Sequence, residues 1–291
     1  MTGILVINEF LHSNKFNEIH SWLLKAGEKQ NIKMVLKTNA QILMDIHEGV
    51  NQRSADFILF WDKDIRLAYY LEQLGYPVFN SSKAIERCDD KSLTHLTLMN
   101  TGIKTARTMI APKTFDNIGY TNYHFLEQVE HQLGFPMVIK ESFGSFGQQV
   151  YLAQNKEELL LKVKQIGSKS MLFQEFIKTS YGRDIRLQVV GGEVVASMYR
   201  YTDGGDFRAN LTIGGKMQEY LPTKEQCDLA IRCCEMIGLD FGGVDILFGE
   251  EEEPILCEVN SNAHFKNIYD CTGVNAADII INTIKSRVKL I

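Results

Sequence analysis

Between Gly3 and Asn80 four short β-type runs, ILVI, KMVL, DFILFW and PVF, alternate with amphipathic stretches such as Phe16 to Lys29 and Ile65 to Leu74. Strand and helix repeating at this spacing bury their apolar faces and pair their backbones as parallel βαβ units. This alternation constrains the fold more than any other feature: residues 1–81 read as an α/β lobe with Rossmann-like patterning. No GxGxxG follows the first run, so the dinucleotide fingerprint is missing.

The character then changes twice. Residues 82–101 look helical and end at Thr101-Gly102. An extended segment from Thr105 to Ala111, a loop from Pro112 to Asn122 and a helix near His124 to Leu133 follow. Next come GFPMVIKESFGSFGQQVYLA, two strands around a glycine-containing loop, a helix from Lys156 to Ile166 and the strand MLFQEFI. Residues 82–172 thus read as a small α+β lobe. From Asp184 the signals become antiparallel, with DIRLQVV, a Gly191-Gly192 turn and EVVASMYRY. Thr223 and Gln226 form a capping box for a helix running to Gly238. A second hairpin and a closing amphipathic helix, Ala276 to Val288, complete a lobe over 173–291. At 291 residues the chain is long enough for two or three such lobes.

Composition narrows the class. With 45% hydrophobic and 23% charged residues the chain is ordinary for a soluble globular protein. A formal net charge of -5 argues against nucleic acid as a partner. The six cysteines show no CxxC spacing, so neither a zinc site nor a redox motif is indicated, and most read as buried reduced thiols. Asn8 and Glu9 come too early for a signal peptide, and no run of about 18 apolar residues marks a membrane span. The expectation is a cytoplasmic protein with no membrane partner.

Several residues stand out against this background. In GGVDILFGEEEEPILCEVNSN, Asp245 and Glu258 interrupt two apolar runs. Glu258 and Asn260 share one strand face, and a hairpin closed near Glu251 sets Asp245 roughly opposite them. Taken alone they read equally as solvent-face residues of an edge hairpin or as a cation site. The run Glu250 to Glu253 is most simply a solvated turn. Lys140 ends the buried-looking strand PMVIK, and Gly144 and Gly147 in the following SFGSFG loop let backbone NH groups approach an anion. There is no GK[ST] ending, so this is not a P-loop, and the stretch also fits a plain hairpin with a snorkelling lysine. Lys91 stands at a polar helix start, where solvated lysines are common. In RYTDGGDFRANLTIGG, Arg200 and Arg208 flank a glycine-rich turn followed by Asn210, with few apolar residues to form a core.

In order along the chain, DDK (Lys91), VIK (Lys140), the glycine-rich loop, QEFI (Gln174 to Ile177), GRDIR (Gly182 to Arg186), GDFRANL (Gly205 to Leu211), GVDIL (Gly243 to Leu247) and EVN (Glu258 to Asn260) resemble the ATP-grasp superfamily. Within it they most resemble the RimK-type α-L-glutamate ligases, from about residue 82 to the C-terminus. The resemblance implies an ATP-grasp fold behind a Rossmann-like pre-ATP-grasp lobe. It implies an ATP-dependent carboxylate-amine ligase that works through an acyl phosphate, with ATP and Mg2+, or Mn2+ in its place, as cofactors. Lys91 and Lys140 would contact phosphates, with Gly144 and Gly147 in the loop over them. The Glu175 carbonyl and the Ile177 NH, on either side of Phe176, would read adenine, and Asp184 would hold the ribose. Arg208 and Asn210 would face the γ-phosphate and acyl group, with Arg200 as a further catalytic cation, and Asp245, Glu258 and Asn260 would bind the metal. The expected partners are an amino acid, glutamate favoured, and an amine or carboxylate acceptor such as a peptide or protein C-terminus; a homo-oligomer is expected by family analogy. A carrier protein or peptide natural product as substrate, or a nucleotide-binding regulator without turnover, are the alternatives.

Two departures fall on the acceptor side. Ser261-Asn262-Ala263-His264-Phe265 follows EVN where the family often has Ser-Pro-Gly. Tyr201 and Thr212-Ile213 stand where RimK-type enzymes carry basic residues. The expectation is a pocket with less positive charge, looser glutamate selection, and Tyr201 offering a hydroxyl or a stacking face to substrate.

Overall fold

The short β-type runs become the strands of three separate sheets, and the amphipathic stretches become the helices that cover them. The computed structural model describes residues 1–11, 13–47, 53–144, 147–209, 211 and 214–290. The first lobe runs β1 (Thr2–Ile7), α1 (Asn14–Lys29), β2 (Lys33–Thr38), β3 (Phe57–Trp61), α2 (Ile65–Gln73) and β4 (Val78–Phe79). Its four strands are all parallel, in the order β2-β1-β3-β4, as the alternation of strand and helix requires.

Two short helices follow, α3 (Ser82–Asp89) and α4 (Lys91–Leu98), where the sequence pattern predicts one. The break is chemical. Asp90 leaves the helical region at φ -89°, ψ 104°, and its carboxylate accepts from the Ser92 and Leu93 amides, capping α4. The small middle lobe has β5 (Thr108–Ile110), α5 (Phe125–Leu133), β6 (Met137–Glu141), β7 (Val150–Ala153), α6 (Lys156–Ile166) and β8 (Met171–Glu175), in an antiparallel sheet ordered β5-β8-β6-β7. Its own core joins Val129, Ile139, Val163 and Phe173.

The last lobe contains β9 (Arg183–Val190), β10 (Glu193–Tyr201), β11 (Lys216–Glu219), α7 (Lys224–Ile237), β12 (Phe241–Phe248), β13 (Pro254–Asn260), α8 (Lys266–Thr272) and α9 (Ala276–Val288). Its antiparallel sheet, ordered β11-β10-β9-β12-β13, buries both faces. One packs Leu187, Val244 and Val259 against Leu229 and Cys233 of α7, and Ala84, Cys88 and Leu98 join the same core. So α3 and α4, grouped with the middle lobe in the sequence reading, pack with the last. β8, split by a boundary at 172, lies wholly in the middle sheet. The acidic turn is also more than solvated: Glu252 pairs with Arg183 at 2.7 Å and Glu253 pairs with Lys104. All six cysteines are free thiols, with Cys88, Cys233 and Cys234 buried. Among the described residues no helix is long and apolar enough to cross a membrane.

The other sheet face holds the first lobe in place. Trp61 at the end of β3 stacks on Phe241, with ring centroids 5.5 Å apart, and meets Phe265 edge-on at 5.6 Å. Beside them Asn80, 1% exposed, donates to the carbonyls of Phe241 and Ser261 at 2.8 Å each and accepts from the Asp240 and Phe241 amides at 2.7 and 3.2 Å. Buried backbone groups left without a partner cost about 1–3 kcal/mol each, so this one side chain is expensive to lose. Asn80→Ala should lower unfolding stability by about 3 kcal/mol or more. Urea denaturation of the variant checks this, and an unchanged midpoint would contradict it.

Candidate active site

On β10, successive side chains point to opposite sheet faces. Tyr199 and Tyr201 stack on each other at 5.6 Å on the α7 side, while Arg200 points the other way, toward the first lobe. Tyr201 is therefore no part of the cavity lining, and the expectation that it meets substrate does not survive the strand's alternation. The same alternation brings Asp184 and Arg186 of β9 and Asp245 of β12 to the Arg200 face. Register sets Arg200 opposite Asp184 and Asp245 opposite Arg186.

The four form one connected network. Arg200 donates to both Asp184 oxygens at 2.6 and 2.8 Å, Arg186 donates to both Asp245 oxygens at 2.6 Å, and Arg200 reaches Asp245 at 3.1 Å. Asp184, Arg200 and Asp245 are 9%, 6% and 6% exposed. Burial works to raise the Asp245 carboxyl, but the two guanidiniums hold it below the usual carboxylate range. Burial wins at Asp184, which lies higher despite its bond to Arg200.

Across the hairpin Asp245 lies directly opposite Glu258, an arrangement of like charges that is ordinarily destabilising. A register shift follows at once, with Ile246 opposite Leu256, so Cys257 is the extra residue of a bulge. That bulge turns Cys257 and Glu258 toward the same cavity, which Asn260 also lines.

The cavity holds about 320 Å³ where the three lobes meet. At one end Val138, Ile177, Leu247 and Leu256 make an apolar slot between the middle sheet and the five-stranded sheet, and Glu175 and Phe176 border it. Behind the slot, Gln174 donates to Thr108 Oγ1 at 2.8 Å and lies 2.9 Å from His95 Nε2, which accepts; burial and Lys140 hold His95 neutral, down to about 4. Lys140 is 7% exposed, and its hydrogen-bond contact among the described residues is Cys257 Sγ at 4.0 Å. Lys91 starts α4 as expected but does not line the cavity. Its Nζ donates to the Gly144 carbonyl at 3.1 Å, tying α4 to the glycine loop. Gly144 has φ 151° and a Cβ there would run into Gln149, so the loop requires glycine at this point. Arg208 reaches that loop from the opposite side, donating to Gly147 O at 2.7 Å and Val150 O at 3.3 Å while forking onto Asp206. Asn210, Thr212 and Ile213 lie outside the described residues.

The unsatisfied groups form a pattern. Among the described residues Lys140 and Glu258 have no ion-pair partner, and the buried Asn260 Nδ2 has no hydrogen-bond partner. An unpaired ammonium and an unpartnered amide N–H suit phosphate oxygens, and an unpaired carboxylate suits the hard cation that phosphate carries. No group of three or more His, Cys, Asp or Glu side chains is disposed to hold a metal by itself among the described residues, so such an ion would share its shell with phosphate oxygens and water.

Sequence reasoning missed two sets of residues. Arg186 was inside a quoted motif, and its spacing of two from Asp184 was the available signal. Lys15, Phe16, His20, Trp61 and Asp62 line the cavity from the first lobe, and nothing local in α1 or β3 marked them.

Residues 88–284 match the family model for the RimK-like ATP-grasp domain. The chain belongs to that family. As a RimK-like ATP-grasp chain it is an ATP-dependent ligase. A Mycoplasma pneumoniae protein of uncharacterized function is 36% identical over 258 residues, covering 86% of this chain and 87% of its own length. Human β-citrylglutamate synthase B is 32% identical over 220 residues, 75% of this chain, which spans about half of that enzyme. The crystal structure of a RimK domain ATP-grasp protein from Sphaerobacter thermophilus covers 97% of this chain and 99% of its own at TM-score 0.73 and 17% identity, a likeness of fold.

Removing one partner from a buried ion-pair network leaves an uncompensated charge, at a cost of about 3–5 kcal/mol. Arg200→Met should destabilise the protein by that order. Thermal unfolding tests it, and a variant as stable as the parent would show that the network carries no structural weight.

Proposed function

We propose that this RimK-like ligase joins a carboxylate to an amine, using ATP and passing through an acyl phosphate. The observation that carries the reading is the set of unanswered groups, Lys140, Glu258 and Asn260, at the mouth of an apolar slot. Adenine fits the slot, reading the Glu175 carbonyl and the Ile177 NH with Phe176 beside it. The Asp184 oxygens, although bonded to Arg200, keep outer lone pairs for ribose hydroxyls. Lys140 meets the phosphates directly, and Lys91 acts through the Gly144 carbonyl it holds, placing the Gly144 to Gly147 loop over them. Asp245, Glu258 and Asn260 offer oxygens to magnesium, or to manganese, which when bound neutralises charge on the phosphates.

In the reaction a carboxylate oxygen attacks the γ-phosphorus and the bond to ADP breaks. The amine nitrogen then attacks the acyl carbon, loses its proton, and phosphate departs with the oxygen that came from the carboxylate. Arg208, at the lip of the loop, is the cation placed to follow the γ-phosphoryl group, and Asn210 joins it on the strength of the shared motif. Arg200 is a positioning residue: its guanidinium is committed to Asp184 and Asp245, and it holds the latter in place. Relatives named β-citrylglutamate synthase and probable α-L-glutamate ligase favour glutamate as the amino acid.

Glu258→Gln keeps shape and removes the unanswered charge opposite Asp245. Turnover should fall by about 10²-fold or more while the melting temperature holds or rises, because a like-charge pair is lost. The parent is first screened for phosphate release with magnesium, ATP and pairs of amino acids and peptides, and mass spectrometry identifies the product. Full activity in Glu258→Gln would remove this carboxylate from the site.

A further inference from the structure

The charges around the cavity can be matched one by one. Arg186 and Arg200 are answered by Asp245 and Asp184, Arg208 by Asp206, Arg183 by Glu252 and Lys63 by Asp89 at 2.7 Å. Lys140 belongs to the nucleotide end. The remaining cavity cation is Lys15, the second residue of α1, and no carboxylate lies within ion-pair distance of it among the described residues. Burial lowers its pKa and nearby Arg186 lowers it further, while Asp270, itself paired with Lys266 at 2.8 Å, works the other way.

The next residue, Phe16, meets the ring of His264 edge-on at 4.7 Å. Both nitrogens of that imidazole are shielded from water and have no hydrogen-bond partner among the described residues. Burial first, then Lys15 and Arg186, hold it neutral, down to about 3. A neutral imidazole keeps one donor and one acceptor. Asn262 and Asn267 line the same end of the cavity. Asp62, an acid of the first lobe that lines the cavity, already accepts from Asn8 Nδ2 at 3.2 Å and from the Lys63 amide at 2.7 Å. Among the described residues this end therefore presents a half-buried cation with no carboxylate in ion-pair contact and hydrogen-bonding groups left unsatisfied.

We infer that Lys15 and His264, brought together where α1 docks on the 261–265 turn, form a subsite for a second carboxylate, the one the reaction leaves untouched. The inference rests on the ligase reading and deepens it. It places acidic selection on a lysine of the first lobe, where residues 201 and 212–213 had implied its weakening. The turn that departs from the family pattern at His264 becomes part of the recognition surface.

Calorimetric titration of the full chain with glutarate and with butyrate, both in the presence of ADP and magnesium, tests this without turnover. One charge-assisted contact corresponds to about ten-fold or more in affinity, so glutarate should bind at least that much more tightly than butyrate. Lys15→Met should bring glutarate down to the butyrate level with ADP affinity unchanged, and Lys15→Arg should keep the preference. Equal binding of the two acids by the parent, or a preference that survives Lys15→Met, would overturn the assignment. Failure of the ligase reading would show separately, as no ADP formed from ATP with any carboxylate and amine while the glutarate preference stands.

Discussion

The buried network of Asp184, Arg200, Asp245 and Arg186 is the interaction on which the rest of the site depends. Two acids and two arginines sum to zero charge, which is what allows them to sit at the centre of a sheet that is apolar on its other face. Single buried charges carry a desolvation penalty of several kcal/mol, and each ion here is offset only because the others are in register. A one-residue slip of β9, β10 or β12 would send these side chains into the Leu229 and Cys233 core. The network thus specifies the sheet's register and, through it, which residues face the cavity.

That cavity exists because the first lobe docks on the same sheet face. Trp61 and Asn80 fix the approach, one by ring stacking and the other by satisfying four backbone groups of the last lobe. The middle lobe is joined to them by hydrogen bonds, among them the Lys91 amide to Ser142 O at 2.9 Å, Ser92 to Ser142 at 2.8 Å, Gln174 to His95 at 2.9 Å, and Lys91 and Arg208 to Gly144 and Gly147 of the glycine loop. Two lobes share a core and the third is joined to them mainly through polar contacts, an arrangement in which the third can open for a nucleotide while the substrate end keeps its shape.

Much of this was legible in the sequence, for identifiable reasons. Strand and helix alternation gave the parallel sheet because its period is local, and the hairpins announced themselves by Gly191-Gly192 and by charges inside apolar runs. The opposition of Asp245 and Glu258 followed from turn position alone. What was not legible depended on contacts distant in the chain. Lys15 is an ordinary lysine on an amphipathic helix until α1 is docked beside His264. The packing of α3 and α4 on α7 is set by tertiary burial. Tyr201 was misplaced because motif position was read without strand parity; its neighbour Arg200 occupies the inward face, so Tyr201 had to point outward.

The central claim is that a carboxylate is activated by phosphoryl transfer in this cavity, and oxygen tracing addresses it most directly. With a carboxylate substrate labelled with ¹⁸O, ATP and an amine, the account expects the released phosphate to carry one labelled oxygen, transferred when the acyl phosphate is cleaved by the amine. Unlabelled phosphate from a reaction that still consumes ATP would mean that water, and not a carboxylate, receives the phosphoryl group, and would contradict the account.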